Sequence, residues 1–200
     1  MLVITKITKF TYQRYQIYLN EELAFVLYKN EVKRYDLEVG INISAERIKQ
    51  IESEVLLPRS KKKALHILER SDRSENELRQ KLKSCFYPQG IIDATIMYVK
   101  SFGYIDDMNY CKKFIESRGN HKSKKDLQYT LLHKGVDRTL IDEVLSSLYT
   151  EEDSECAIEQ LIRKRRFDRE TASLDEYRKL YAYLARKGFS YEEVSRVLPI

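Results

Sequence analysis

The chain has 200 residues, 42% hydrophobic and 34% charged, with only six glycines and three prolines; this excludes collagen-like and low-complexity classes and suits a compact domain or a series of small units with a real core. Lys and Arg exceed Asp and Glu by 36 to 31, for a net charge of +5, a mild excess compatible with a nucleic-acid partner and concentrated mid-chain, with net +3 over residues 110–150 and −1 over 151–200. No stretch reaches the ~20 apolar residues of a membrane span, and Met1-Leu2-Val3-Ile4-Thr5-Lys6 places no basic segment before an apolar run, so neither membrane insertion nor a secretory leader is expected.

The first 28 residues alternate. Val3, Thr5 and Ile7, then Tyr15, Ile17 and Leu19, then Leu23, Phe25 and Leu27 fall at every second position, the period of half-buried strands. Asn20-Glu21 stands where a hairpin turn is needed. A small antiparallel sheet of two or three strands is predicted, with a helix to cover it. Val32 and Tyr35 then fit a short helix ending before Gly40. Ser44 is placed to cap a helix over 45–57, with Ile48, Ile51 and Val55 on one face and Pro58 as its break.

From Ser60 the pattern is helical and repeats. Ser74 precedes Glu77, Ser123 precedes Asp126 and Ser173 precedes Glu176, each by three residues. In each pair a serine oxygen can accept an unpaired N–H while the acid sits at the positive end of the helix dipole. Each start is followed by a leucine pair: Leu78 and Leu82, Leu127 and Leu131, Leu180 and Leu184. Lys134-Gly135 and Lys187-Gly188 supply left-handed C-caps, whereas the first of these helices ends at Ser84-Cys85-Phe86-Tyr87-Pro88. Flanking helices are predicted over 61–70, 108–118 and 151–167 and over 89–102, 138–149 and 191–198, with Asp137 and Ser190 as caps and Asp106 or Asp107 capping the helix after Gly103. The organisation is an N-terminal β-hairpin with helices over 1–58 and three-helix repeats over 60–107, 108–150 and 151–200. The fold class is mainly α, and repeats of this length are expected to stack as an elongated curved array.

Taken together, the three tandem units, the Gly103-Tyr104-Ile105-Asp106-Asp107 junction, the Lys134-Gly135-Val136 end, Ala64-Leu65 with Leu68, and the Ser74 to Leu82 segment resemble the RecX regulatory proteins of bacteria. The resemblance covers roughly residues 60–198, and Tyr18-Leu19-Asn20-Glu21-Glu22-Leu23-Ala24-Phe25 is similar to an extension of some members. It implies a regulator that binds the RecA–single-stranded-DNA filament and inhibits RecA ATPase, strand exchange and coprotease activity; some members also bind DNA. The chain departs from the family pattern in lacking the first Lys-Gly end, in carrying Ser123 where many members have Gly, and in a longer middle helix in the third unit.

Three basic clusters are the candidate contacts for a filament or for single- or double-stranded DNA: Lys61, Lys62 and Lys63; Lys122, Lys124 and Lys125; and Arg163, Lys164, Arg165 and Arg166. Long cationic stems suit phosphate contact, although charge runs also serve as solvated helix faces. Lys124 and Lys125 fall at a predicted helix N-terminus, where a cation opposes the dipole, which sets an external anion beside the solvated-face reading; Arg163–Arg166 fall near a C-terminus, where the dipole itself favours them. Tyr110, Tyr129, Tyr177, Tyr181 and Tyr183 are expected to pack between helices.

No phosphate-binding loop of the Gly-x-x-x-x-Gly-Lys type and no Gly-x-Ser-x-Gly elbow occurs. Cys85, Cys111 and Cys156 form no close pair, and His66, His121 and His133 lack ligand spacing. Cys111, near basic residues, could titrate low but lacks a base partner. A monomeric cytoplasmic protein without catalysis, metal or cofactor is therefore expected. The alternative to a RecA regulator is a helical-repeat DNA-binding protein without RecA specificity.

Overall fold

Asn20 and Glu21 both adopt positive φ, 46° and 70°, which gives a two-residue turn the twist that antiparallel strands require. Non-glycine residues tolerate this because the turn is tied down. Asn20 Oδ1 accepts from the Val3 N–H at 3.0 Å, and the Glu21 N–H donates to Thr5 Oγ1 at 2.9 Å. The turn joins β2 (Arg14–Leu19) to β3 (Glu22–Tyr28), and β1 (Leu2–Lys9) pairs antiparallel with β2. A two-residue β4 (Asn42–Ile43), too short to be read from periodicity, completes a four-stranded sheet in the order β3-β2-β1-β4. This computed structural model describes residues 2–198; Met1, Pro199 and Ile200, at the outer ends of the first and last segments, lie outside the described residues.

The predicted break at Pro58 does not occur. After α1 (Lys29–Arg34), α2 (Ala45–Ile51) begins at Ser44, whose oxygen accepts from the Arg47 N–H at 3.2 Å. It runs through a π-helical turn (Glu52–Leu56) directly into α3 (Leu57–Arg70). The wider turn is the reason. The Leu57 N–H reaches back five residues to the Glu52 carbonyl, and proline then stands in the first turn of α3, where it has no N–H to lose. This continuous rod covers the sheet, and Ile4, Ile17, Phe25 and Leu27 share a core with Ile51, Val55, Leu56 and Ile91.

α4 (Glu75–Lys83) and α5 (Gln89–Ser101) follow α3, with Leu78 and Leu82 buried against Ala64, Ile92, Ile96 and Val99. The chain divides into two compact units. The first runs to Arg73 and includes Glu77–Ile105; the second holds Ser74–Asn76 and everything from Asp106 onward.

In the second unit, α6 (Asp107–Arg118), α7 (Lys124–His133) and α8 (Arg138–Leu148) form one three-helix set around Cys111, Ile115, Leu127, Leu131, Ile141 and Leu145. α9 (Glu151–Lys164), α10 (Leu174–Arg186) and α11 (Tyr191–Val197) form another around Ala157, Ile158, Leu180, Leu184 and Val194. The predicted caps hold: Ser123, Asp137, Ser173, Ser190 and Asp106 each accept an N–H from the first turn they precede. Asp107 has a different duty, accepting the Glu75 N–H at 2.8 Å. Tyr110, Tyr177, Tyr181 and Tyr183 pack against these cores, but Tyr129 is 62% exposed because it lies off the Leu127–Leu131 face of α7. Cys111 is buried, and burial pushes its thiol up to about 11, opposite to the low titration that nearby lysines suggested.

The ends of α4, α7 and α10 share one geometry. At Gly135 the N–H bonds the Leu132 carbonyl and the Val136 N–H bonds Leu131; Gly188 and Phe189 repeat the pattern on Ala185 and Leu184. Both glycines have positive φ. α4 ends the same way without a glycine, with Phe86 at φ 63° and bonds from Phe86 to Lys83 and from Tyr87 to Leu82. An L-residue there costs roughly 1–2 kcal/mol.

Two predictions follow from these ends. A Cβ on Gly188 would stand 2.6 Å from Ser123 Oγ on top of a φ of +94°, so Gly188→Ala lowers stability by about 2 kcal/mol or more, read from urea melts. Asp137 is held below the usual carboxylate range by the Thr139 hydroxyl and the N–H groups of Leu140 and Thr139. Its folded value lies below its unfolded one, so its contribution is complete above the unfolded value near ~4 and lost as pH falls through the folded one. Asp137→Asn should flatten the acid limb of stability against pH.

Candidate nucleic-acid and partner interface

The lysine run at 61–63 is divided by its own helix. Lys61 turns over the Tyr98 ring, 4.2 Å from its centroid. Lys62 and Lys63 are exposed and line a cavity of about 420 Å³ in the first unit together with Arg14, Arg59 and His66. Arg59, Lys62, Lys63 and His66 follow the i, i+3, i+4, i+7 spacing of one helix face, and Arg14 comes from the start of β2. The arginines are already ordered. Both guanidinium groups stack over Tyr28, at 5.3 Å for Arg14 and 4.6 Å for Arg59. Arg14 also donates to the Tyr28 hydroxyl at 3.1 Å, and Arg59 pairs with Glu31. Tyr87, on the cavity wall, is pushed up to about 12 by burial and stays a neutral phenol. Arg14, Arg59 and His66 were missed because they do not adjoin the lysine run, yet the helical spacing of the four α3 residues is visible in the sequence.

The second cluster mixes structural and free charges. Lys122 bonds Asp126 at 2.9 Å, and its carbonyl accepts from the Tyr149 hydroxyl at 3.1 Å. Ser123, buried, accepts the Asp126 N–H at 3.1 Å and donates its hydroxyl to the Lys187 carbonyl at 2.6 Å. The first turn of α7 is thereby fastened to the end of α10. Inside the same unit, Ser74 donates to the Lys134 carbonyl at 2.6 Å. Lys124 and Lys125 remain exposed on the first turn of α7, where the dipole disfavours them.

The third cluster is partly self-neutralised. Arg163 and Lys164 occupy the last turn of α9, a favourable place for cations. Arg165 lies over Tyr183 at 4.3 Å, and Arg166 takes the left-handed C-cap position at φ 52°. Arg165 and Arg166 line a cavity of about 340 Å³ that also holds Asp168, Glu176 and Lys179, so its charge is mixed. The ten predicted contact residues therefore do not share one role. Of the ten, Lys62, Lys63, Lys124 and Lys125 are exposed with neither an acidic neighbour at ion-pair distance, among the described residues, nor a helix end that favours a cation.

Three family models match in tandem. They describe the first, second and third three-helix domains of RecX and cover residues 61–98, 106–145 and 151–198. The chain belongs to the RecX family. A regulatory protein RecX of Clostridium beijerinckii is 32% identical over 96% of this chain and 92% of its own length. One from Clostridioides difficile is 31% identical over 99% and 95%. A crystal structure of regulatory protein RecX shares the fold, with a TM-score of 0.66 at 23% identity over 98% of both chains. The first RecX domain match starts at Lys61, inside the continuous rod, so β1–β4, α1 and α2 lie outside the three domain matches but within the length aligned to these relatives.

The second cluster gives a direct prediction. Ser123→Ala removes an N-cap acceptor and a buried donor together and should cost about 1–2 kcal/mol. Lys124→Ala and Lys125→Ala should each stay within about 0.5 kcal/mol of the parent in the same urea melts.

Proposed function

We propose that this chain is a non-enzymatic regulator that binds the RecA–single-stranded-DNA filament and inhibits RecA ATPase, strand exchange and coprotease activity in the cytoplasm. The observation that carries this reading is the near full-length match to proteins named as RecX regulators, with all three domains in order. The free cations add a physical means. Lys62 and Lys63 on α3, and Lys124 and Lys125 on α7, offer charge to an anionic surface at more than one place on the chain. A filament repeats its phosphates and acidic side chains, so modest contacts at separate places combine. Opposite charge also speeds encounter. A regulator lodged this way hinders the subunit motions that ATP turnover and strand exchange require.

The cationic cavity of α3 also favours a second reading, direct DNA binding without RecA specificity. Affinity separates the two. A RecA regulator prefers the RecA-coated strand to bare DNA, whereas a general binder takes random bare DNA as tightly.

Purified protein at saturating concentration should suppress the DNA-dependent ATPase of RecA by well over half; an unchanged rate overturns the regulatory reading. The pair Lys124→Glu and Lys125→Glu should weaken filament binding several-fold and flatten its salt dependence. An acid in the first turn suits the α7 dipole better than lysine does, so a binding loss in this variant reports on contact and not on folding.

A further inference from the structure

The cavity on α3 has features that a solvated helix face does not need. Its charge is one-sided: Arg14, Arg59, Lys62 and Lys63 line it with the His66 ring beside them, while the carboxylate on Arg59 is Glu31, and His66 faces Glu69 at 3.8 Å on its own helix. Its rim is aromatic. Phe86, 36% exposed, meets Phe10, 43% exposed, edge to face with ring centroids 5.1 Å apart. Phe86 is also held at positive φ, where α7 and α10 place glycine and α9 places Arg166, so an aromatic side chain stands at this turn at some backbone cost.

We propose that this cavity is a subsite for single-stranded nucleic acid, with phosphates against Lys62, Lys63, His66 and Arg14 and an unstacked base on Phe86. Cations on long stems release counterions from phosphate, and a base of any identity stacks on an aromatic ring. A volume near 420 Å³ gives room for one nucleotide. A duplex keeps its bases stacked on one another and offers none to Phe86. An acidic peptide would meet the cations but leave the aromatic rim without a planar partner. The subsite gives the N-terminal sheet a task, since Arg14 opens β2 and Phe10 follows β1. It rests on the filament reading only for where the single strand comes from.

Cys85 lines the same cavity and is a free, partly exposed thiol, so it can report occupancy without RecA. The full chain is treated with iodoacetamide, and labelling of Cys85 is followed by peptide mass mapping. A short oligothymidylate should slow Cys85 labelling several-fold. Thymidine monophosphate at equal nucleotide concentration, and a duplex of equal length, should leave it unchanged. In fluorescence anisotropy, Lys63→Glu should weaken oligothymidylate binding and abolish the protection. Phe86→Gly should weaken binding several-fold, with the relief of the positive φ offsetting part of the lost Phe10 packing and a far-ultraviolet circular dichroism spectrum matching the parent. Unprotected Cys85 at saturating oligothymidylate overturns the subsite, and equal protection by the monophosphate replaces it with a small-anion site. Neither outcome touches RecA inhibition, which is read in its own assay.

Discussion

A helix that ends inside a protein leaves four N–H groups or four carbonyls without intrahelical partners, and burying them unpaired is costly. The second unit meets this constraint by pairing beginnings with ends. Ser123 satisfies an N–H of α7 and, with the same oxygen, donates to the carbonyl at the end of α10. Ser74 makes the corresponding donation to Lys134. Such a joint has two requirements. The partner helix must stop in a left-handed turn that presents its last carbonyls, and nothing larger than hydrogen may stand on the turn. Gly135 and Gly188 satisfy both, since a Cβ on either would meet Asn76 or Ser123 well inside contact distance. The serine and the Lys-Gly end are thus two halves of one device.

The same joint determines which cations are free. Fastening α7 through Ser123 fixes its first turn, draws Lys122 to Asp126 and leaves Lys124 and Lys125 outward. At the end of α9, helix geometry absorbs charge instead: Arg165 covers Tyr183 and Arg166 forms the C-cap. Net charge alone does not separate these cases, because the dipole favours one position and opposes the other.

Much of this was legible in the sequence, for identifiable reasons. Helix caps are local chemistry, so Ser44, Ser123, Asp137, Ser173 and Ser190 could be read within a window of four residues, and the leucine pairs report the buried faces directly. Longer-range features were hidden. Pro58 reads as a break because the π-helical turn that accommodates it depends on packing of the rod over the sheet. β4 is two residues long and exists only through β1. Arg14 joins the α3 cations through the tertiary fold, while Lys61, adjacent in sequence to Lys62, is turned away to Tyr98. Tyr129 was assigned to the interior by its residue type, although its place on α7 is off the leucine face. Cys111 was judged by its neighbours in sequence, while its titration is governed by burial.

A sequence that folds well generally agrees with itself at every level, and local conflicts concentrate where something other than folding is required. Two conflicts stand out. Lys124 and Lys125 sit on the positive end of α7, at a cost of about 0.3–1 kcal/mol for an ordinary exposed cation. Phe86 occupies a left-handed position that glycine fills at the ends of α7 and α10. The two lysines remain exposed, and Phe86, though its ring meets Phe10, leaves over a third of its surface open beside Lys62 and Lys63. The proposed filament contact rests on the first of these conflicts, and the proposed single-strand subsite rests on the second together with the one-sided charge of its cavity.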